Sequence, residues 1–194
     1  MISGAENLRV VQEVASIFSA LDIAYALGGS MASSLLGMPR FTQDADLTAE
    51  PFPGKESALV GRFGPDYYVS LPTVQQAVLQ RSAFNIIHTT SGFKLDVFVR
   101  KDRPFEQSVM MRRRTVQLAD RPGESIVLVS PEDIILFKLE WYRTGGGVSD
   151  RQWSDVLGVL KVQAGKFDAN YLDHWAEDLK VSDLLARARQ EILS

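Results

Sequence analysis

Apolar residues recur every three or four positions over residues 7–21, at Leu8, Val11, Val14, Ala15, Ile17, Phe18 and Leu21. That period predicts an amphipathic helix. The pattern then shortens. "AYAL", residues 24–27, is a brief apolar run stopped by Gly28-Gly29, and it predicts a buried strand. Ser30 is placed to cap a short helix through Met31, Ala32 and Leu36, which Pro39 closes. "DADLTAE" alternates and predicts a strand. A helix around 55–62, a short strand at "YYV" and a helix over 73–80 follow.

"AFNIIHTT" and "KLDVFVR" flank a Ser91-Gly92 turn, which is a hairpin signal. A helix is expected over 104–113, then two short strands at 115–118 and 126–129. After Ser130 only helical periods remain. "SPEDIILFKLEWYR" opens with a serine cap, a first-turn proline and two acids. "SDRQWSDVLGVLKVQ" opens on another serine cap, and two further helices are expected with Asp168 and Ser182 as caps. There is no internal repeat. The pattern predicts an α+β (α/β) chain: a small mixed sheet with flanking helices over 1–129 and a C-terminal helical region over 130–194. Apart from Gly145-Gly146-Gly147, between two helices, no glycine- or proline-rich linker intervenes. The helical region is therefore expected to pack on the first part and form a cleft with it.

Composition narrows the chemistry. At 194 residues the chain is long enough for one domain, or one domain with a helical extension. A net charge of −3 excludes a global basic field for nucleic acid. A local basic segment remains, Lys101, Arg103, Arg112, Arg113, Arg114 and Arg121, which is either a solvated face or a guide for RNA or nucleotide. The absence of cysteine excludes disulfides and thiolate metal sites, and two histidines argue against a histidine-rich zinc site. Glu6, Arg9, Glu13 and Asp22 break any signal-peptide core, and no apolar run reaches membrane-span length. A soluble cytoplasmic protein with no membrane partner is the expectation.

The carboxylates carry the chemistry. Asp44 and Asp46 sit at i and i+2 of a predicted strand, so both point to one face while Ala45 points into the core. Such pairs are common on solvated strand ends, but like charges that close invite a cation, and oxygen donors suit Mg²⁺ or Mn²⁺. Asp96 lies among Leu95, Val97, Phe98 and Val99, in a strand expected to be central and buried. A carboxylate there is either paired with Lys94, Arg40 or Arg100, or is a third metal ligand. Gly28-Gly29-Ser30 is either a capped strand-to-helix turn or a phosphate cradle at a helix start. Together these features point to phosphoryl or nucleotidyl transfer.

The ordered set "GGS", "RFTQDADL" and "LDVFV" resembles the nucleotidyltransferase superfamily with a polymerase-β-like fold, and is closest to the bacterial AbiEii-like and other minimal nucleotidyltransferases. The resemblance spans residues 24–99 and extends through the helical region to about residue 160. It implies that Gly28, Gly29 and Ser30 hold the triphosphate of an NTP substrate. It implies that Asp44 and Asp46 bind two metals, and that Asp96 shares one and acts near the attacking hydroxyl. Thr42 stands where the subfamily often has threonine, and Arg40 is either a phosphate contact or a surface ion pair.

Lys138 has Ile134, Ile135, Trp141 and Tyr142 as its helical neighbours, so it either snorkels to solvent or points into the cleft. The resemblance implies the second. In "RQWSDV" Asp155 fits the second acid of a further motif, but Gln152 stands where the first belongs, and Asp155 is either a site residue or a partner of Arg151. Trp141, Tyr142 and Trp153 are either core or a stack for a base. His88 and His174 receive no role, and the Gly145–Gly147 run is a loop, since no strand precedes it.

The implied activity is metal-dependent transfer of a nucleoside monophosphate from an NTP to a hydroxyl or phosphate of a tRNA, a protein or a small molecule. In the AbiEii-like case the chain is the toxin of a toxin–antitoxin pair. The alternative is a non-catalytic nucleotide-binding or protein-interaction module on the same scaffold. A third reading makes the acids structural ion pairs only.

Overall fold

The computed structural model describes residues 4–117 and 125–193. Its elements follow the order α1 (Gly4–Ala20), β1 (Tyr25–Gly28), α2 (Gly29–Leu36), β2 (Asp44–Ala49), α3 (Glu56–Val60), β3 (Tyr67–Tyr68), α4 (Leu71–Gln80), β4 (Ala83–His88), β5 (Phe93–Val99), α5 (Pro104–Arg112), β6 (Arg114–Gln117), β7 (Ser125–Leu128), α6 (Pro131–Thr144), α7 (Asp150–Val162), α8 (Ala169–Asp178) and α9 (Ser182–Glu191). The mixed α and β class matches the expectation from the pattern. Leu118 and Arg121, named in the sequence reading, lie outside the described residues.

Two compact units form: Met1–Gly28 with Phe41–Leu128, and Gly29–Arg40 with Val129–Ser194. The first holds the sheet, whose order is β3-β4-β5-β2-β1-β7-β6. β2 is antiparallel to β1 and parallel to β5, while β4 and β5 form the antiparallel hairpin. Gly92 adopts φ +70° in the hairpin turn, a backbone region open chiefly to glycine. Strand alternation sets the core. Ala45, Leu47 and Ala49 of β2 and Leu95 and Val97 of β5 are buried on one face, and α1, whose Val11, Val14 and Phe18 are buried, packs against β5. An edge-to-face chain runs through Tyr25, Phe18, Phe52 and Phe84 at 6.1–6.3 Å between ring centres.

The second unit is all helical. Ser130 caps α6 by accepting from the Asp133 amide, Ser149 caps α7, and Asp168 caps α8 by accepting from the Tyr171 amide. Two predicted caps are displaced. α9 begins from Val181, because Leu185 N already donates to the Val181 carbonyl (3.0 Å), which leaves Ser182 inside the helix. Ser30 likewise lies inside α2, because Gly29 at φ +56° makes the turn into the helix and starts it. No helix among the described residues is long and apolar enough to cross a membrane.

Candidate active site

In the sheet unit, Asp44, Asp46 and Thr48 occupy the half-buried face of β2, opposite the buried Ala45, Leu47 and Ala49. The parallel register with β5 places Asp46 beside Asp96 and Asp44 beside Lys94. Neighbouring strands lie about 4.8 Å apart, so all three carboxylates rise from one small area of a single face. Asp96 is not enclosed in apolar surroundings, as its neighbours in sequence suggested. The two-residue period sends Leu95 and Val97 inward and leaves the Asp96 side chain 19% exposed on the other face, with Lys94.

Each acid is held. Lys94 Nζ donates to Asp96 Oδ2 (2.8 Å), and the Asn85 side-chain amide donates to Asp96 Oδ1. Asn85 faces Asp96 directly across the β4–β5 hairpin. Thr42 Oγ1 lies 3.0 Å from both Asp44 Oδ1 and the Asp44 carbonyl. The buried Asn7 anchors this turn from α1, donating to the Thr42 carbonyl (3.2 Å). The Lys94 ammonium is held above its ordinary pKa by its hydrogen bond to Asp96. Burial opposes that effect, and the charges of Asp96, Asp44 and Asp46 add to it.

The donor set suits a hard divalent cation: oxygen ligands only, from two adjacent strands, on one face. As the side chains stand, no three His, Asp or Glu among the described residues form a ready metal cluster. Asp96 is turned to Lys94 and Asn85 instead. Gly28 faces Asp46 across β1–β2, and a Cβ there would meet only the Asp46 carbonyl, at 3.9 Å. Space therefore does not demand a glycine at 28, whereas at 29 the φ of +56° favours one.

The helical unit assembles a second cluster from residues 125 positions apart. Arg40 grips Asp155 with two bonds, Nε to Oδ1 (2.7 Å) and Nη2 to Oδ2 (2.8 Å). Lys138 Nζ donates to Asp155 Oδ2 (2.8 Å). Both cations also reach the Ser30 hydroxyl, Arg40 at 2.7 Å and Lys138 at 3.4 Å. One carboxylate thus faces two cations, which leaves the cluster with an excess positive charge beside a helix start. Burial disfavours the charged form of Asp155, but hydrogen bonds from Arg40 and Lys138 outweigh it and hold the carboxyl below its ordinary value.

Several expectations change here. Lys138 does not snorkel to solvent; it is buried and bonded. The Asp155 carboxylate is bonded to Arg40 and Lys138, not to Arg151 one turn away. Arg40 is not a surface pair, since its partner is buried. Tyr142 and Trp153 are core, with rings 5.2 Å apart, and Trp153 is further fixed by Glu191 (2.9 Å) and by Arg187 over its ring (4.2 Å). Trp141 is exposed. His88 bonds Ser91 (2.7 Å) and packs at a tilt against the Tyr67 ring (5.1 Å between centres), a structural position. Sequence reasoning missed Asn85. Counting back through the hairpin from its turn would have paired it with Asp96.

No protein-family model matches the sequence, and no curated protein matches it. Solved structures do. An antigenic nucleotidyltransferase-like protein from Paracoccidioides brasiliensis superposes with TM-score 0.60 at 22% identity, over 97% of this chain and 94% of that one. The antibiotic-resistance factor ANT(2'')-Ia gives 0.54 at 14% identity over 98% and 96%. The lincosamide antibiotic adenylyltransferase LnuA, solved with lincomycin bound, gives 0.53 at 14% identity over 83% and 98%. The fold is that of the nucleotidyltransferases.

Proposed function

We propose that this chain, which has the nucleotidyltransferase fold, transfers a nucleoside monophosphate from an NTP to a hydroxyl or phosphate acceptor in a metal-dependent reaction. One observation carries the reading: the β2–β5 register sets Asp46 beside Asp96, with Asp44 on the same face, in a sheet of that fold. Asp44, Asp46 and Asp96 would hold Mg²⁺ or Mn²⁺, with Asp96 also near the attacking hydroxyl. The bound metal would neutralise phosphate charge and activate the attacking oxygen. Thr42 keeps Asp44 oriented through its hydroxyl. By the resemblance, Gly28, Gly29 and Ser30 would hold the triphosphate, and Arg40 and Lys138 would offer positive charge to phosphate. Asp155 keeps those two cations in place.

The acceptor class is drawn from two sources. The AbiEii-like resemblance favours tRNA or protein, with this chain as a toxin and an antitoxin as its partner. The likeness to LnuA, an antibiotic adenylyltransferase, adds a small-molecule hydroxyl. Isothermal titration with each NTP and Mg²⁺ tests the core of the reading. Wild type should bind, and Asp44→Asn with Asp46→Asn should weaken binding at least about tenfold, the scale of a lost charged contact. Equal binding by the double variant would sink the proposal.

The engagement of Asp96 by Lys94 and Asn85 favours a second reading, a nucleotide-binding module without catalysis. Labelled NTP offered with tRNA, protein and small-molecule acceptor pools separates the two. An enzyme labels an acceptor in a manner that depends on Asp46; a binding module labels nothing.

A further inference from the structure

The Lys94 side chain stands out on the acidic face. It shares that face with Asp96 two residues on, and its backbone partner across the parallel strands is Asp44. Its ammonium bonds Asp96 Oδ2 at 2.8 Å, while Asn85 holds the other oxygen of the same carboxylate. Both oxygens of Asp96 are therefore committed within the protein. A cation that takes Asp96 as a ligand has to break the bond to Lys94, and it then meets a like charge at close range. Lys94 cancels one of the three negative charges that would draw a free metal ion. Its side chain is 44% exposed, so it can swing toward solvent, or toward an anionic group, without leaving a buried charge behind.

We propose that Lys94 is the displaceable counter-ion of the Asp44–Asp46–Asp96 face, so that it lowers the affinity of the chain for free divalent metal and favours metal that arrives with a polyphosphate able to receive its ammonium. This inference rests on the proposal that the three acids bind metal. Lys94 acts through Asp96 and is a positioning residue. An ordinary salt bridge between residues two apart on one strand would stabilise the sheet slightly and leave metal affinity unchanged.

The test is Mn²⁺ binding to the full chain, without nucleotide, followed by the electron paramagnetic resonance signal of free Mn²⁺. Lys94→Gln should bind Mn²⁺ about fivefold more tightly than wild type, the scale of an exposed ion pair. Lys94→Arg, which restores the cation, should bind like wild type, and Asp46→Asn should lose the site. If Lys94→Gln binds no more tightly than wild type while Asp46→Asn abolishes binding, the counter-ion role is wrong and the metal site stands. If Asp46→Asn binds as wild type does, or no variant binds Mn²⁺, the acids are not metal ligands and both proposals fall.

Discussion

Asp155 shows what a single residue does for two others. Its carboxylate is 6% exposed and bonded to Arg40 and Lys138 at once. Asp155→Ala would leave two cations facing each other with no anion between them. Breaking a buried pair in this way costs about 3–5 kcal/mol, and urea unfolding should show that loss. Lys138→Met should cost only about 1–2 kcal/mol, because Arg40 still satisfies the carboxylate, while NTP binding in titration falls more than stability does. The pH dependence has a definite sign. The folded-state pKa of Asp155 lies below its ordinary 3.8, so its stabilisation is complete above that value and fades as pH falls through the folded-state value. Wild type should therefore lose stability below about pH 4, and Asp155→Asn should lose less over the same range. The sequence brought Lys138 and Asp155 forward as candidates. It offered Arg151 as the partner because helical spacing reaches only one turn. Arg40 lies 115 residues away and no periodicity encodes that distance.

Elements were easier to read than their docking. The amphipathic period of α1, the Ser91-Gly92 hairpin and the serine cap of α6 all follow from local chemistry, and all are present. The fit of α2 against α7 was not readable. In the sequence Gly37 is no more than a residue after a short helix, yet a Cβ there would fall 2.8 Å from Val159 N and 2.9 Å from the Gly158 carbonyl carbon. Both obstacles are backbone and cannot yield. Gly37→Ala should cost about 1–3 kcal/mol in urea unfolding, through separation of the two helices that carry Ser30 and Asp155. Gly158→Ala should cost less, since its nearest atoms at 3.3 Å include the Met38 side chain, which can shift. Asp96 makes the same point in a strand. Its apolar sequence neighbours suggested enclosure, but alternation sent them to the far side of the sheet.

At the scale of the whole molecule, the strand order brings β2 and β5 together in parallel although β3 and β4 intervene in sequence. Spacing alone could say that the third acid stood on a later strand; the side-by-side register came only from the assembled sheet. If the three acids serve one ligand, that ligand stabilises the folded chain by mass action. Saturating NTP with Mn²⁺, at about a hundred times the dissociation constant, should add about 2.7 kcal/mol. A thermal melt should show that gain for wild type and none for Asp44→Asn with Asp46→Asn.

The allocation of Gly29–Arg40 to the helical unit has a consequence for inheritance. That segment leaves the sheet unit after Gly28 and returns to it at Phe41, more than eighty residues before the remaining helices begin at Pro131. A single genetic crossover after Leu128 would thus deliver α6 to α9 without the helix that carries Ser30 and without Arg40. Descendants that trade this helical unit for another must exchange two stretches of gene together, or keep the original pairing. The fold is therefore poorly suited to shuffling its C-terminal half.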